Sequence, residues 1–326
     1  MKALVYDGVE TLGFRDVPDP SPLPGELLIK IEAVGICGSD MHAYLGHDAR
    51  RPAPLILGHE AAGLIVGGPE EGRRVTINPL VNCGTCPACR AKRENLCPDR
   101  QIISMQPREG AFAQMISMPE ANLVEVPDDV PMAKAALAEP LAVSWHAARL
   151  AMEALHPTME KRALIIGGGA IGLAAALALR AMGVTQTTII EPNISRHAFL
   201  ASIGEQTEAK ATGEYPIVID AVGYAATRAT ASEHAQPGGV IAHIGLGEDT
   251  GGIDVRRLTL QEITFIGTYT YTAQDFRDTA AAIFDGRLGS LEWTEQRPLS
   301  EGAAAFADLR AGAVAAPKIV LDPWAD

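Results

Sequence analysis

A chain of 326 residues, 47% hydrophobic and 21% charged, has material for a sizeable core and a length that suits two domains. Its formal charge of −13 and pI near 5.1 argue against partners such as nucleic acid or acidic lipid headgroups. No run approaches the roughly 18 apolar residues of a membrane span, and Met1–Tyr6 runs into Asp7 and Glu10 as no signal peptide does, so a cytoplasmic location is expected.

The first 145 residues are rich in short β runs punctuated by Gly and Pro. Residues 1–6, 26–34 and 63–66 read as strands, with a proline-rich turn region over 17–25. This is the pattern of a small β-barrel-like domain. Cys37-Gly38-Ser39-Asp40-Met41-His42 follows the strand at 27–34, and Gly58-His59-Glu60 follows the apolar run Leu55-Ile56-Leu57. A lone Cys is usually a small buried hydrophobe and a lone His a satisfied polar residue. Two such residues, each at a strand end and each beside an acid, point instead to chemistry.

Four of the five cysteines crowd between positions 83 and 97, with the spacing C-x2-C-x2-C-x7-C over Cys83, Cys86, Cys89 and Cys97. In a reducing compartment this reads as metal, not disulfide. Four thiolates close a tetrahedral zinc shell and leave no open position, so such a site is structural; an iron–sulfur cluster is the lesser alternative. Strand patterns resume at 114–118 and 123–126. Glu139 then precedes Pro140 at the start of a helical run over 141–152, where an acid also suits the helix dipole.

Residues 162–191 carry the dinucleotide fingerprint. The strand Arg162–Ile166 enters Gly167-Gly168-Gly169-Ala170-Ile171-Gly172, a helix follows over 173–182, and a second strand over 187–190 ends at Glu191. Gly167 permits the tight turn, Gly169 lets a pyrophosphate approach the backbone, and Gly172 lets helix and strand pack closely. The helix N-terminus offers free N–H groups to phosphates, and Glu191 can bind ribose hydroxyls. Arg196 complicates the reading, since it could pair with a 2′-phosphate. The α/β rhythm continues through 217–220 with Asp220-Ala221-Val222-Gly223, then 240–245, 264–267 and a helix over 273–284. Parallel strands with crossovers make a doubly wound sheet.

Together these stretches, with Glu139-Pro140-Leu141 and Gly267-Thr268-Tyr269-Thr270-Tyr271-Thr272, resemble the zinc-containing medium-chain dehydrogenase/reductases over nearly the full length. Within them the chain is similar to the polyol branch of sorbitol, galactitol and threonine dehydrogenases. The resemblance implies an α/β protein: a Rossmann doubly wound sheet beside a GroES-like β-barrel catalytic domain. That catalytic domain is expected over 1–145 with a structural zinc lobe at about 83–97, completed by 288–326; the NAD-binding domain is expected over 146–287. The resemblance also implies a catalytic zinc held by Cys37 and His59, with Glu60 and Glu139 as the carboxylates at or next to the metal; which one binds directly varies in the family. Ser39 and His42 match the family's proton relay. Cofactor contacts fall to Gly167, Gly169, Ala170, Ile171, Gly172, Glu191, Arg196, Ala221, Val222 and Gly223. A homo-oligomer, a tetramer, is expected on resemblance alone.

The chemistry is coherent. An alcohol, with a pKa near the value of about 16 for water, donates hydride poorly until it loses its proton, and bound Zn²⁺ can bring such a pKa towards about 7. Cys, His and one carboxylate leave a fourth position open for substrate. The expected reaction is hydride transfer from a secondary alcohol (a small polyol, diol or amino alcohol) to NAD, giving a ketone. Tyr44, Phe112 and Tyr271 are candidates for the substrate wall, from their places beside these motifs. The chain departs from the family in a shortened segment at 67–72, a brief stretch at 203–215, and Thr270 where sorbitol dehydrogenases carry an Arg. Competing readings are a zinc-free enone or quinone reductase of the same fold and a non-catalytic nucleotide-binding protein. Against both stand the cysteine knuckle and the Cys37, Ser39, His59, Glu60 and Glu139 set.

Overall fold

The computed structural model describes residues 1–325. The chain forms two compact units, one of Met1–Glu139, Thr272–Gly286 and Leu291–Asp326, the other of Pro140–Tyr271 and Arg287–Ser290.

The first unit is built on the strand Glu26–Gly35. It pairs antiparallel with Glu60–Val66, with Met115–Pro119 and, at its far end, with Lys318–Asp322. Ile29, Ile31 and Ala33 are buried while Lys30 and Glu32 are not, as a period of two requires. The register shifts between Ile31 and Ala33, and beyond that irregularity Ala33, Val34 and Gly35 are all buried. The strand thus delivers Cys37 from inside the unit. Arg74–Ile77 and Leu123–Glu125 extend the sheet on one side, and Thr294–Pro298 lies parallel to Lys318–Asp322 on the other. A second sheet joins Lys2–Gly8, Thr11–Asp16 and Leu55–Ile56. Leu4, Ile29, Ile31, Leu57, Phe112 and Phe306 fill one core, Phe306 coming from the late helix Gly302–Ala311.

The second unit is a six-stranded parallel sheet. Its order runs Thr207–Glu208, Gln186–Ile190, Arg162–Ile166, Tyr215–Asp220, Ala235–His243, Thr264–Gly267. Strand order reverses between Arg162–Ile166 and Tyr215–Asp220, the switch point at which doubly wound sheets bind ligands. The edge strand Thr207–Glu208 has two residues, which is what the brief 203–215 stretch leaves room for.

The division differs from the expected boundaries at residues 140–145 and 288–290, which lie in the second unit, and in one whole element. The helix Ala273–Phe284 belongs to the first unit, where Phe284 packs against the cluster of Val126, Val130 and Met132. Its N-cap, Thr272, accepts the Asp275 N–H and donates its own hydroxyl to Asp275 Oδ2 at 2.7 Å.

Candidate functional site

In the first unit Cys37 caps the short helix Gly38–Tyr44, and its N–H donates to Asp40 Oδ2 at 3.0 Å. The other half of the site arrives on the turn after Leu55–Ile56. Gly58 stands there at φ +90°, a backbone that L side chains rarely adopt, and a Cβ on it would lie 2.5 Å from the Phe112 ring. The turn therefore presses onto the core and sets His59 beside Cys37. The next strand begins with Glu60, which pairs in register with Gly35. The ligand atoms of Cys37, His59 and Glu60 all lie within 4.8 Å of one another.

His59 is held from both sides. Its Nδ1 faces Asp40 Oδ1 at 3.3 Å and Ser104 Oγ at 3.3 Å, and its Nε2 lies 3.5 Å from Ser39 Oγ. A carboxylate on Nδ1 fixes the ring and leaves Nε2 as the metal-binding nitrogen. Burial disfavours the charged ring, but Asp40 and Cys37 outweigh it and hold the His59 pKa well above the ordinary imidazole value. The same exchange, opposed by burial, holds Asp40 below its ordinary value through His59 and Arg51. The surroundings of His59 are thus strongly favourable to a cation.

Glu60 divides its two oxygens. Oε1 accepts from Lys318 Nζ at 2.7 Å, inside the protein, and Lys318 also donates to the Ile36 carbonyl at 2.9 Å. Oε2 is buried and has no hydrogen-bond partner among the described residues. An orphaned carboxylate oxygen grouped with a thiol and an imidazole nitrogen is a donor set that fits zinc. Burial pulls the Lys318 pKa down, yet Glu60, Cys37 and Glu139 raise it above its ordinary value, so it stays charged. Glu139 is buried and acts on Lys318 electrostatically, but the three-residue ligand group does not include it.

The thiols of Cys83, Cys86, Cys89 and Cys97 form the other group within 4.8 Å. Cys86 and Cys89 donate their backbone N–H to the sulfurs of Cys83 and Cys86, each at 3.4 Å. N–H groups of Thr85 and Cys86 bring the Cys83 thiol down to about 6, while burial and neighbouring thiols push Cys89 up to about 12. Four thiols this close form a closed tetrahedral shell around one cation.

In the second unit the fingerprint has the shape a dinucleotide needs. Among the described residues nothing stands within 4 Å of a Cβ built on Gly169, so the start of the helix Ala170–Ala181 is open. A Cβ on Gly172 would lie 1.7 Å from the Gly167 carbonyl oxygen. Glu191 Oε2 accepts from the Gly168 N–H at 3.1 Å, its Oε1 accepts from Asn193 N–H at 2.7 Å, and Arg196 lies 3.5 Å from Oε2. Across the switch point, Asp220 Oδ1 accepts from Val222 and Gly223 N–H at 3.1 and 2.9 Å, fixing the Ala221–Gly223 turn.

The substrate-wall expectation is corrected. Phe112 and Tyr271 have no exposed surface and Tyr44 has little. Tyr44 packs tilted and Phe112 edge-on against Phe306, with ring centroids 5.2 and 6.0 Å apart, because the barrel core needs large side chains to fill it. Residues next to a motif in sequence lie beneath it in space. Three residues that the sequence reading missed, Arg51, Ser104 and Lys318, surround the site. Only Lys318 carries a sequence signal, as a lone Lys opening the apolar strand Lys318–Asp322.

A doubly wound dinucleotide fold, a four-thiol site and a three-ligand Cys–His–Glu site define a metal-dependent oxidoreductase. Residues 23–128 match the family described as alcohol dehydrogenase GroES-like domain, and residues 170–285 that described as zinc-binding dehydrogenase. The chain is 30% identical to a sorbitol dehydrogenase of Arabidopsis thaliana, over 81% of this chain and 79% of that protein. It is also 30% identical to an L-galactonate-5-dehydrogenase of Escherichia coli K12, over 88% of each. The crystal structure of galactitol-1-phosphate dehydrogenase from Escherichia coli superposes with a TM-score of 0.87 at 25% identity, covering 99% of this chain and 100% of that one. The chain belongs to the zinc-containing medium-chain dehydrogenase/reductase family, in its polyol dehydrogenase branch. It is a zinc- and NAD-dependent oxidoreductase that takes hydride from a secondary alcohol.

Proposed function

We propose that this enzyme oxidises a short substrate, a vicinal diol, small polyol or amino alcohol of about three to six carbons, at a secondary carbon, using a zinc held by Cys37, His59 and Glu60. The observation that carries the reading is the buried, unpartnered Glu60 Oε2 grouped with Cys37 and His59. When bound, zinc supplies the Lewis acidity that lets an alcohol hydroxyl lose its proton near neutral pH, and NAD supplies the hydride acceptor. Ser39 takes up the hydroxyl proton as its own leaves towards the exposed His42, one turn along the same helix, which in turn releases a proton to solvent. Asp40 keeps the His59 ring oriented throughout. Glu139 serves as a second carboxylate, balancing Lys318.

Cys83, Cys86, Cys89 and Cys97 hold the structural zinc. Gly167, Gly169, Ala170, Ile171 and Gly172 receive the pyrophosphate, Glu191 and Arg196 meet the adenosine ribose, and Ala221, Val222 and Gly223 close the far side of the switch point.

Thr270 favours a short substrate. The Arg that sorbitol dehydrogenases place here is a five-donor fork able to hold many hydroxyls. Thr270 has one hydroxyl, which is buried without a partner among the described residues, on a strained backbone at φ 48°. A site lacking those donors does not offset the desolvation of a long polyol. A panel of alcohols, followed by absorbance of reduced nicotinamide, tests this. Short diols should exceed sorbitol-length polyols in kcat/KM, and Thr270→Arg should move the preference towards longer polyols. Sorbitol-length polyols beating every shorter diol with Thr270 in place would overturn it.

We also propose a cytoplasmic homotetramer. Free, metal-spaced cysteines and the family resemblance support it; light scattering that returns the monomer mass would refute the tetramer.

A further inference from the structure

Arg51 is 3% exposed, and its guanidinium lies inside the first unit. It lies on the segment between the Cys37 helix and the His59 turn, outside every motif of the chain. Its Nη1 donates to the Ser39 carbonyl at 2.7 Å, its Nε to the Ser104 carbonyl at 3.0 Å, and its Nη2 lies 3.5 Å from Ser39 Oγ. Asp48, 3.3 Å from Nη1, is its anionic partner. Burying a guanidinium is expensive unless its donors are matched, and here they are matched to two serines in particular. Those serines flank the same imidazole: Ser39 Oγ on the Nε2 side and Ser104 Oγ on the Nδ1 side of His59. Ser104 is also held at φ +67°, a left-handed backbone that a serine keeps only when its surroundings impose it. The donor on the Ser104 carbonyl is Arg51.

We propose that Arg51 is a positioning residue for the reaction: one rigid fork sets Ser39 for proton transfer and Ser104 against His59, so that relay hydroxyl and metal-binding ring keep a fixed relation. The inference rests on the reading of Ser39 as the relay hydroxyl. A planar fork can bridge two carbonyls and a hydroxyl at once, which a single ammonium cannot. Replacing it by an apolar side chain leaves both serines free to turn and the Ser104 backbone free to relax.

The test uses the zinc-loaded and the cobalt-substituted holoenzyme. Arg51→Met should lower kcat about 10–100-fold, the range for lost outer-shell partners, with KM changed far less. Arg51→Lys should recover part of that loss. In a double-mutant cycle, Arg51→Met added to Ser39→Ala should lower kcat by clearly less than it does alone, because part of its effect passes through Ser39. The ligand-field bands of the cobalt enzyme should shift in Arg51→Met, and a chelator should strip the catalytic metal about 10–100-fold more readily. A stabilising role alone would lower the melting temperature and move neither cycle nor bands. Wild-type kcat in Arg51→Met, additive losses in the cycle, or unshifted cobalt bands would overturn the proposal. If Arg51→Met does not fold, the same cycle and spectra are run on Arg51→Lys. If Ser39→Ala alone leaves kcat unchanged, the relay reading is what fails, and the cobalt bands then decide whether Arg51 holds His59 through Ser104.

Discussion

The two metal sites are built by opposite means. The four thiols of the knuckle come from fifteen consecutive residues, 83–97, and their outer partners are local too: backbone N–H groups of Thr85, Cys86 and Cys89, and Asn82 beside Cys89. The Cys37–His59–Glu60 site draws on the whole first unit. Asp40 lies near Cys37 in sequence, but Arg51 and Ser104 come from separate loops, and Lys318 is 258 residues from the Glu60 it pairs with. A closed site needs only ligands at the right spacing. A site that keeps a position open must be held in shape by groups that do not bind the metal.

The largest expected effect is at the knuckle. The loop has little apolar core, and structural zinc in comparable small sites contributes an apparent 10–16 kcal/mol, roughly, to folding. Cys97→Ser should reduce the metal content from two zinc ions per chain to one. Amides of 83–97 should then exchange hydrogen freely while the rest of the first unit keeps its protection. Protein purified without chelator that holds one zinc or none before mutation would break the comparison at its base.

Next is the open site. Cys37→Ser should lower kcat at least about 10²–10³-fold, since electrostatic activation of the substrate oxygen depends on the metal it helps to hold. The melting temperature should move little, because the core of Leu4, Ile29, Ile31 and Phe306 does not involve Cys37. Collapse of the fold on this substitution would mean that both sites are structural.

Lys318→Met sharpens the contrast from the support side. It strands the Glu60 carboxylate in a place where neither partner of the pair is more than 3% exposed. Removing one member of a buried ion pair costs about 3–5 kcal/mol, so urea unfolding should show a loss of that order in the metal-free protein. Bound zinc should recover part of it by taking over Glu60. A loss below about 1 kcal/mol in the metal-free protein would show that Lys318 is not the main counter-charge.

What was legible in the sequence follows the same division. The knuckle, the glycine loop and the strands Arg162–Ile166 and Thr264–Gly267 are local, and spacing and period are enough to read them. Cys37, His59 and Glu60 were readable as motif members, and folding brings them together. Tyr44 and Phe112 were not readable, because adjacency to a motif does not say which face of the backbone a ring takes. Phe112 lies under Gly58, inside the core. The helix Ala273–Phe284 has a clear period and cap, but nothing in its own sequence says which unit it packs against. Arg51 and Ser104 left no trace at all: their roles exist only once a loop closes over His59.

The smallest expected effect concerns the cofactor, where the second unit repeats the lesson on a local scale. Glu191 is buried and its oxygens already accept from Gly168 and Asn193 N–H, so the acid is fixed by the loop it serves. A 2′-phosphate arriving there meets a fixed negative charge, whereas a 2′-hydroxyl can donate to it. Arg196 would favour the phosphate, but its guanidinium lies 3.5 Å from Glu191 Oε2 and is neutralised there. The enzyme should therefore prefer NAD to NADP in kcat/KM. Glu191→Ala should release Arg196 and narrow or reverse that preference by about 10–100-fold, the worth of about 1.5–3 kcal/mol for a hydrogen bond to a charged group. Glu191→Gln, which removes the charge but keeps a hydrogen-bonding side chain against the loop, should fall between the two. Comparable kcat/KM for both cofactors in the unmodified enzyme would show that Arg196 governs the site in spite of Glu191.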